Sequence, residues 1–318
     1  MGKKIKKEQN GEEEQNKLMS INDIRNRIIK RKLVHQELTK KKKLKKEERK
    51  RRKDAGEAPG VPHTIESLRV KDETVLDPIV PGNEEKIEEV KIDVQTDNFE
   101  SYFNMEYVPK VLITFCDNPT QKTRTFGIEL CRMIPNSMFR YRGRSSVKKI
   151  VKRATEKNFS DVLIINENMK EPNGLLVIHL PQGPSAFFRM SNVKLTTDLK
   201  KSHKEINKHR PEVILNNFTT RLGTSVARML ASLFHYDPEF KGRRVVTFHN
   251  QRDYIFFRHH RYQFNKDAKP QLKELGPRFT LRLEYIQEGT FDTILGDYEW
   301  VKSGRRHSLE SNRRKFYL

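Results

Sequence analysis

Apolar residues mark out a first group of helices and strands between residues 111 and 190. The continuous run 111–115 has the length of a buried strand, and the turn residues 117–119 follow it. Apolar positions at helical spacing predict two helices, one closed by Pro135 and one capped by Ser145. The predicted helices cover 123–134 and 145–157, and the predicted strands cover 111–115, 138–141, 161–165, 175–180 and 185–190. The last two strands form a hairpin, so the order predicts an α/β layer.

A second, shorter group follows between residues 210 and 290. Its predicted elements are a strand at 213–215, a nearly all-apolar helix at 224–234, and strands at 245–249, 254–264 and from 279 onward. The last strand alternates apolar and polar residues, which indicates one buried face. The residues predicted to point inward are Phe279, Leu281, Leu283 and Tyr285. The residues predicted to point outward are Arg278, Thr280, Arg282 and Glu284.

One phrase occurs in both groups with an offset of 96 at every position. Its members are Phe126, Gly127, Leu130, Arg132 and Met133, which return as Leu222, Gly223, Val226, Arg228 and Met229. Each copy leads to a hairpin whose second strand carries Phe-Phe-Arg, at 187–189 and at 256–258. The repeat predicts a duplicated α/β domain over 106–298, with similar halves at 106–195 and 210–290. The basic helix after Ser145 has no counterpart in the second half.

Charge divides the chain into three blocks that together give a net +22. Residues 1–53 carry 21 basic and 8 acidic residues, residues 54–100 carry 4 and 13, and residues 101–318 carry 39 and 21. We expect disorder over 1–19, a basic helical extension over 20–53 capped by Ser20, and a basic tail over 299–318. The acidic stretch 54–105 is interpreted either as an arm for a partner surface or as a linker that folds back on the basic domain.

The two cysteines, Cys116 and Cys131, are too few for a disulfide framework. This favours a reducing compartment, and the sequence contains neither a bilayer-length apolar run nor the apolar core of a signal peptide. An intracellular, soluble protein is therefore expected.

The patterns of catalytic and cofactor sites are missing from the sequence. The turn 116–119 lacks the glycines of a dinucleotide or phosphate loop, and no Cys-x-x-Cys pair occurs. His259 and His260 should face opposite sides of a strand, so a metal site is not predicted. A nuclease that uses Asp253 with Glu284 or Asp161 is an alternative without diagnostic spacing. No enzymatic activity, cofactor or small-molecule substrate is expected.

Clusters of basic residues, some interleaved with aromatic residues, are typical of RNA binding, because guanidinium groups meet phosphates and rings stack on unpaired bases. Arg140, Arg142 and Arg144 are expected to alternate along a strand. The other predicted RNA contacts are Lys148, Lys149, Lys152, Arg153, Arg243, Arg244, Arg252, Arg258, Arg261, Arg278, Arg282, Arg313, Arg314 and Lys315. The predicted nuclear localisation signal comprises Lys41, Lys42, Lys43, Lys45, Lys46, Arg49, Lys50, Arg51, Arg52 and Lys53.

Three short motifs point to a known family: Pro135-Asn136-Ser137, Leu180-Pro181-Gln182-Gly183-Pro184 and Leu275-Gly276-Pro277-Arg278-Phe279. With these motifs the chain resembles the Brix-domain proteins of ribosome assembly, and residues 276–292 resemble the segment of that domain likened to a bacterial sigma factor. Longer similar stretches lie at 62–66, 101–103, 215–223, 247–258 and 313–316, so the resemblance covers about residue 61 to the end.

The resemblance implies halves similar to the anticodon-binding domains of some aminoacyl-tRNA synthetases. It also implies a non-enzymatic nucleolar factor that binds ribosomal RNA during maturation of the large subunit and works with a dedicated protein partner in the pre-60S particle. We expect the RNA to be clamped between basic surfaces of the two halves. An RNA-processing enzyme and a protein-interaction module with indirect RNA association are the alternatives.

Overall fold

The computed structural model describes residues 26–56, 61–70, 74–75, 84–199, 208–292, 296–302 and 315–318. Its helices are α1 Arg27–Asp54, α2 Glu84–Thr96, α3 Glu100–Phe103, α4 Gln121–Met133, α5 Val147–Glu156 and α6 Arg221–Ser232. Its strands are β1 Val111–Phe115, β2 Ser137–Phe139, β3 Asp161–Asn168, β4 Glu171–His179, β5 Ser185–Lys194, β6 Glu212–Asn216, β7 Arg244–Gln251, β8 Tyr254–Phe264, β9 Pro270–Glu274, β10 Arg278–Gln287 and β11 Tyr298–Val301. The predicted states of 1–19, Ser20, Arg313 and Arg314 lie outside the described residues.

Contacts divide the chain into two units, Met1–Thr64 and Ile65–Leu318. In the first unit α1 begins after Asn26, whose side chain accepts hydrogen bonds from the backbone N–H groups of Ile28 and Ile29. None of the α1 residues is buried, because the helix is dominated by lysine and arginine. This helix is therefore stabilised by its own hydrogen bonds and cap rather than by a core.

In the second unit the strands form one mixed sheet in the order β2-β1-β3-β4-β5-β10-β8-β7-β6. Strand β1 runs parallel to β2 and β3, and β6 runs parallel to β7. The central strands are antiparallel, and β9 and β11 pair with β8 and β10. Because β5 is hydrogen-bonded along its length to β10, the two groups of elements share one sheet and do not face each other across a gap. The expected clamp between two halves is therefore not formed.

Helices α4 and α6 cover one face of the sheet, which we call the α4/α6 face. Phe126 of α4 lies edge-on to Phe279 of β10 at 5.4 Å, and Phe279 stacks on Phe257 of β8 at 4.3 Å. Residues of α6 such as Met229 belong to the same buried cluster. A helix from the first group thus packs on strands of the second group, and burial of these rings joins them in one core.

Helix α5 packs on the opposite face, which we call the α5 face. Val151 and Ala154 are buried there against Val162 of β3 and Ile178 of β4. Strand residues alternate between the two faces, so β1, β3 and β4 are covered on both sides and consist of nearly continuous apolar residues. The strands β8 and β10 are covered by α6 on one side, and among the described residues no helix covers their α5 face.

Topology corrects the match between the two Phe-Phe-Arg hairpins. Strand β7 is parallel to its neighbour β6, as β3 is to β1, so the hairpin β7–β8 takes the place of β3–β4 and not of β4–β5. Residues 256–258 therefore lie on the counterpart of β4, while residues 187–189 lie on β5. The predicted match between the two Phe-Phe-Arg hairpins is therefore wrong, because similar spacing along the chain does not place the two phrases on corresponding strands.

The acidic stretch includes a helix that the sequence analysis did not predict. Asp97, just after α2, accepts two hydrogen bonds from Arg228 of α6, at 2.6 and 2.8 Å. Asp93 pairs with Arg221, and Tyr102 of α3 is buried. These are the contacts expected of a linker that folds back on the basic domain and is held by its own acids.

Candidate RNA interface

The cations of α5 lie on its solvent side. The helix is capped by Ser146, whose hydroxyl accepts from the backbone N–H of Lys149, and not by the predicted Ser145. As predicted from helical spacing, its apolar side is buried and its basic side is exposed. The exposed cations are Lys148, Lys149, Lys152 and Arg153. Lys148 pairs with Asp292 at 2.8 Å, whereas the other three make no ion pair with any described residue. Three cations are therefore available to phosphates.

A sheet surface adjoins this helix on the same face. Arg189 of β5 lies directly opposite Arg282 of β10, and Thr280 lies opposite Phe256 of β8. Residues two apart on a strand share a face, so Tyr254 and Phe256 point the same way as the two arginines. We call this surface, formed by residues 189, 254, 256 and 282 around the buried Thr280, the open sheet face.

Positive charge is concentrated at one end of the open sheet face. Arg282 donates to the Tyr254 hydroxyl at 3.3 Å, and its guanidinium carbon lies 5.0 Å from the centre of the Tyr254 ring. Burial, and next the nearby Arg282, lower the pKa of Lys302; Glu284 and Asp253 act in the opposite direction, and Arg189 again lowers the pKa. Three cations thus share one patch beside an aromatic ring, which suits a phosphate next to an unpaired base.

Arg189 and Lys302 belong to this patch, but the sequence analysis did not propose them. Arg189 was noted only as part of the Phe-Phe-Arg phrase. Its register against Arg282 follows from the pairing of β5 with β10, two strands separated by more than 80 residues of chain. The alternation within each strand could have placed both arginines on one side, but only the pairing brings them together.

Other predicted contacts are engaged in ion pairs. Arg278 forms a two-point contact with Glu274, and the Arg258 Nε lies 4.0 Å from the same carboxylate. Arg252 pairs with Glu66 at 3.0 Å. Burial, and next Arg278, lower the pKa of Arg258. These arginines are partly neutralised and present less free charge than the sequence indicated.

The prediction that Arg244 contacts RNA is wrong, because its side chain is only 3% exposed and is bonded inside the fold. It donates to the His259 Nε2 at 3.2 Å and to the His209 carbonyl at 2.7 Å. Burial, and next Arg261, lower the pKa of Arg244 to about 10. His259 is likewise buried and bonds the Gly276 carbonyl oxygen, so it is neither a stacking nor a surface residue. Arg243 is exposed and Arg261 is half-buried.

The predicted alternation of Arg140, Arg142 and Arg144 along a strand is wrong. Strand β2 ends at Phe139, and the three arginines lie in the loop before α5. Arg142 donates to the Ser145 carbonyl at 2.6 Å and lies 3.8 Å from Asp117, while Arg140 and Arg144 are exposed. The three arginines therefore lie close together in a loop beyond the carboxyl end of β2 and are not spaced along an edge strand of the sheet.

The remaining predicted positions lie at the two ends of the chain. Lys315 is exposed, with its Nζ 5.6 Å from the centre of the Tyr317 ring. The residues of the predicted localisation signal lie on α1, all of them exposed. Their role as a localisation signal stays a prediction.

Two of the three carboxylates suggested for a nuclease, Asp161 and Asp253, are committed to other contacts. Asp161 is buried and bonds His179 and the Ser160 hydroxyl, both at 2.7 Å. Asp253 accepts from the backbone N–H groups of Tyr317 and Leu318. Within the described ranges no group of three His, Cys, Asp or Glu side chains could hold a metal ion. Across those ranges, too, no helix has the length and apolar character needed to cross a bilayer.

Comparison with known proteins identifies the fold family. A family model described as Brix domain matches residues 116–285. A "Probable ribosome production factor 1" of Drosophila melanogaster is 61% identical over 268 residues, which cover 84% of this chain and 67% of that protein. "Ribosome production factor 1" of Xenopus laevis is 52% identical over 258 residues, covering 81% and 73%.

Similarity extends to more distant proteins. A Brix domain-containing protein of Schizosaccharomyces pombe is 41% identical over 266 residues, covering 81% of this chain and 84% of that protein. A crystal structure of a probable ribosomal biogenesis protein from Aeropyrum pernix K1 covers 55% of this chain and 96% of its own, with 14% identity and a TM-score of 0.43. The sequence matches confirm the predicted resemblance to Brix-domain proteins, and several of the matched relatives carry the name ribosome production factor 1. The chain belongs to the Brix-domain family.

Proposed function

We propose that this chain is a non-enzymatic ribosome biogenesis factor that binds ribosomal RNA and supports pre-rRNA processing and assembly of the large (60S) subunit. Membership of the Brix-domain family and the names of its relatives support the role in ribosome biogenesis. The observation that carries RNA binding is the basic surface that α5 and the open sheet face present on one side of the sheet. Its cations are largely unpaired among the described residues, so they can exchange counterions for phosphates.

The mode of binding is docking onto a rigid surface. The ladder between β5 and β10 keeps α5 and the open sheet face in one rigid unit, so no closing motion is needed. Lys149, Lys152 and Arg153 contact phosphates, and the Arg189–Arg282 patch holds a second stretch of backbone. Phosphate contacts of this kind position the RNA without reading its sequence.

Localisation and partners follow from the family and from α1. A nucleolar location is supported by the basic α1, whose exposed lysines and arginines form a nuclear localisation signal. A dedicated assembly-factor protein and other pre-60S components are the expected partners. Neither a membrane nor a small-molecule substrate takes part.

Charge reversal on α5 tests the proposal. The full chain carrying Lys149→Glu, Lys152→Glu and Arg153→Glu is compared with wild type for binding to large-subunit rRNA fragments between 50 and 200 mM salt, a range in which phosphate contacts lose affinity steeply. Loss of three contacts should reduce the slope of log affinity against log salt by about 2. The thermal unfolding transition should remain, because these side chains are exposed.

A matched control reverses three exposed charges elsewhere, Arg132→Glu, Lys266→Glu and Lys269→Glu. It should leave the slope close to that of wild type. Equal effects of the two triple variants would mean that net charge, and not this surface, determines binding. Cleavage of the RNA by purified protein would instead favour an RNA-processing enzyme, and absence of binding without other proteins would favour an indirect association.

A further inference from the structure

A crevice opens where the loops after β1 and β2 part toward opposite faces of the sheet. The chain leaves β1 for α4 on one face, and it leaves β2 for α5 on the other. In open α/β sheets, ligands bind outside the carboxyl ends of strands at such a switch of direction. Here the crevice has a volume of about 390 Å³, within the range of ligand pockets. Its lining includes Cys116, Arg124, Tyr141, Arg142 and Arg144.

Tyr141 offers an aromatic ring in this crevice. It is 58% exposed, yet it is held in place because it stacks on Phe115 with ring centres 5.7 Å apart and meets Phe139 edge-on. The Arg124 guanidinium carbon lies 5.7 Å from the centre of the Tyr141 ring, and the Arg124 Nε is fixed by a bond to the Pro119 carbonyl at 2.8 Å. A largely exposed ring on a buried support, with a guanidinium group over it, matches the requirements of base stacking.

The charge of the crevice is positive. Arg124, Arg142 and Arg144 line it together with one acid, Asp117, which lies 3.8 Å from Arg142. Arg124 and Arg144 are exposed and make no ion pair with any described residue. The loop 116–119 has no glycine, so its backbone is not adapted to wrap a phosphate, and the arginine side chains must supply the contact.

We propose that this crevice binds one unpaired nucleotide of RNA, with its base on Tyr141 and its phosphate on Arg124 and Arg144. The inference rests on the proposed RNA-binding function and adds to it a preference for single-stranded segments at this end of the sheet. A paired base cannot use the site, because its faces are already stacked inside a duplex. A simple anion would bind to the arginines alone. The presence of an aromatic ring beside the guanidinium groups therefore favours a nucleotide.

The test measures binding of the full chain to two labelled RNAs, a single-stranded hexauridylate and a blunt duplex of equal phosphate number. Tyr141→Leu should weaken binding to the hexamer about five- to 150-fold, the usual range for loss of one stacked base, and should leave duplex binding unchanged. Arg144→Gln should act in the same direction. Tyr141→Phe keeps the ring and its packing on Phe115, so it should retain affinity for the hexamer.

The outcomes separate this site from the proposed function. If the α5 triple variant weakens both RNAs while Tyr141→Leu weakens neither or both equally, the crevice assignment is wrong and RNA binding stands. If wild type binds neither RNA, the proposed function itself fails. Displacement of the hexamer by uridine monophosphate at equal concentration would assign the crevice to free nucleotides and overturn the proposal. Displacement by a phosphoserine peptide would assign it to a protein partner, with the same consequence.

Discussion

The glycines Gly127 and Gly223 hold the same place in the repeated phrase, but Gly127 is the seventh residue of α4 and Gly223 the third residue of α6. Alanine should affect them differently. A Cβ at Gly127 would lie 2.3 Å from Cε1 and 2.4 Å from Cζ of Phe115, a ring that is fully buried. Ordinary carbon contacts are about 3.5–4.0 Å, so the ring would have to move by more than about 1 Å inside a packed core. A Cβ at Gly223 would meet the Leu318 carbonyl carbon at 3.0 Å and the Thr220 hydroxyl at 3.1 Å, which requires shifts of a few tenths of an ångström.

The expected free-energy changes follow from two opposing terms. Alanine in a helix interior gains about 1 kcal/mol over glycine, and overpacking a core costs about 1–3 kcal/mol. The severe clash at Gly127 belongs at the upper end, so Gly127→Ala should lower the free energy of unfolding by about 2 kcal/mol. Gly223 lies in the first turn of α6, where the gain from alanine is smaller than in a helix interior. The helix gain and the mild clash are both small for Gly223→Ala, which leaves a change within about 0.5 kcal/mol of zero.

Urea denaturation of both variants measures this difference. Phe115→Leu removes the two clashing ring atoms, so the double variant Gly127→Ala/Phe115→Leu should show a favourable coupling of about 2 kcal/mol in a double-mutant cycle. If Gly127→Ala is as stable as wild type, or Gly223→Ala is the more damaging change, the reasoning from Cβ distances is refuted. Absence of coupling with Phe115 would refute the assigned cause.

Two further predictions concern stability. Burial, and next Arg244, lower the pKa of His259 to about 3, so the unfolded chain takes up a proton near pH 6.5 whereas the folded chain does not. The free energy of unfolding should therefore fall by about 1.6 kcal/mol from pH 6.5 to pH 5. His259→Gln should lack this part of the pH dependence, and an unchanged dependence would exclude His259 as its source. Asp97→Ala removes both hydrogen bonds between Arg228 and the Asp97 carboxylate, so it should lower the free energy of unfolding by about 1.5–3 kcal/mol and speed amide exchange over 84–104. The control Asp93→Ala breaks a more exposed ion pair and should cost under about 1 kcal/mol. Equal losses in the two variants would contradict the difference in burial.

Much of the sheet was predictable because its strands are marked by local patterns. The apolar run Val111–Phe115 and the strand Tyr254–Phe264 have the predicted bounds. The prediction for β10 was partly wrong, since Thr280 is 4% exposed and Tyr285 is only half-buried. Strand β10 has hydrogen-bonded neighbours on both sides, which bury Thr280, and a register shift after Leu283 alters the alternation. Periodicity predicts the face of the sheet on which a side chain lies, but it does not predict how much of that side chain the neighbouring strands bury.

The candidate interface was predictable where one helix determined the outcome. The exposed cations of α5 follow from 3.6-residue spacing alone. Arg244 could not be assigned in this way, because its partners come from His259 and from the distant His209 carbonyl. The partial neutralisation of Arg258 likewise depends on Glu274 from the next strand. Sequence locates positive charge, whereas tertiary pairing decides how much of it remains available.

The continuous sheet also fixes a distance. Five strand spacings separate β1, which ends at the crevice, from β8, which carries Tyr254 on the open sheet face. At about 4.8 Å per spacing this is about 24 Å, and a hydrogen-bonded ladder does not stretch. An RNA that occupies both places must present its two unpaired segments at that separation. The sheet would then select RNA by the distance between two unpaired segments, and therefore by how far the RNA has folded, independently of its base sequence.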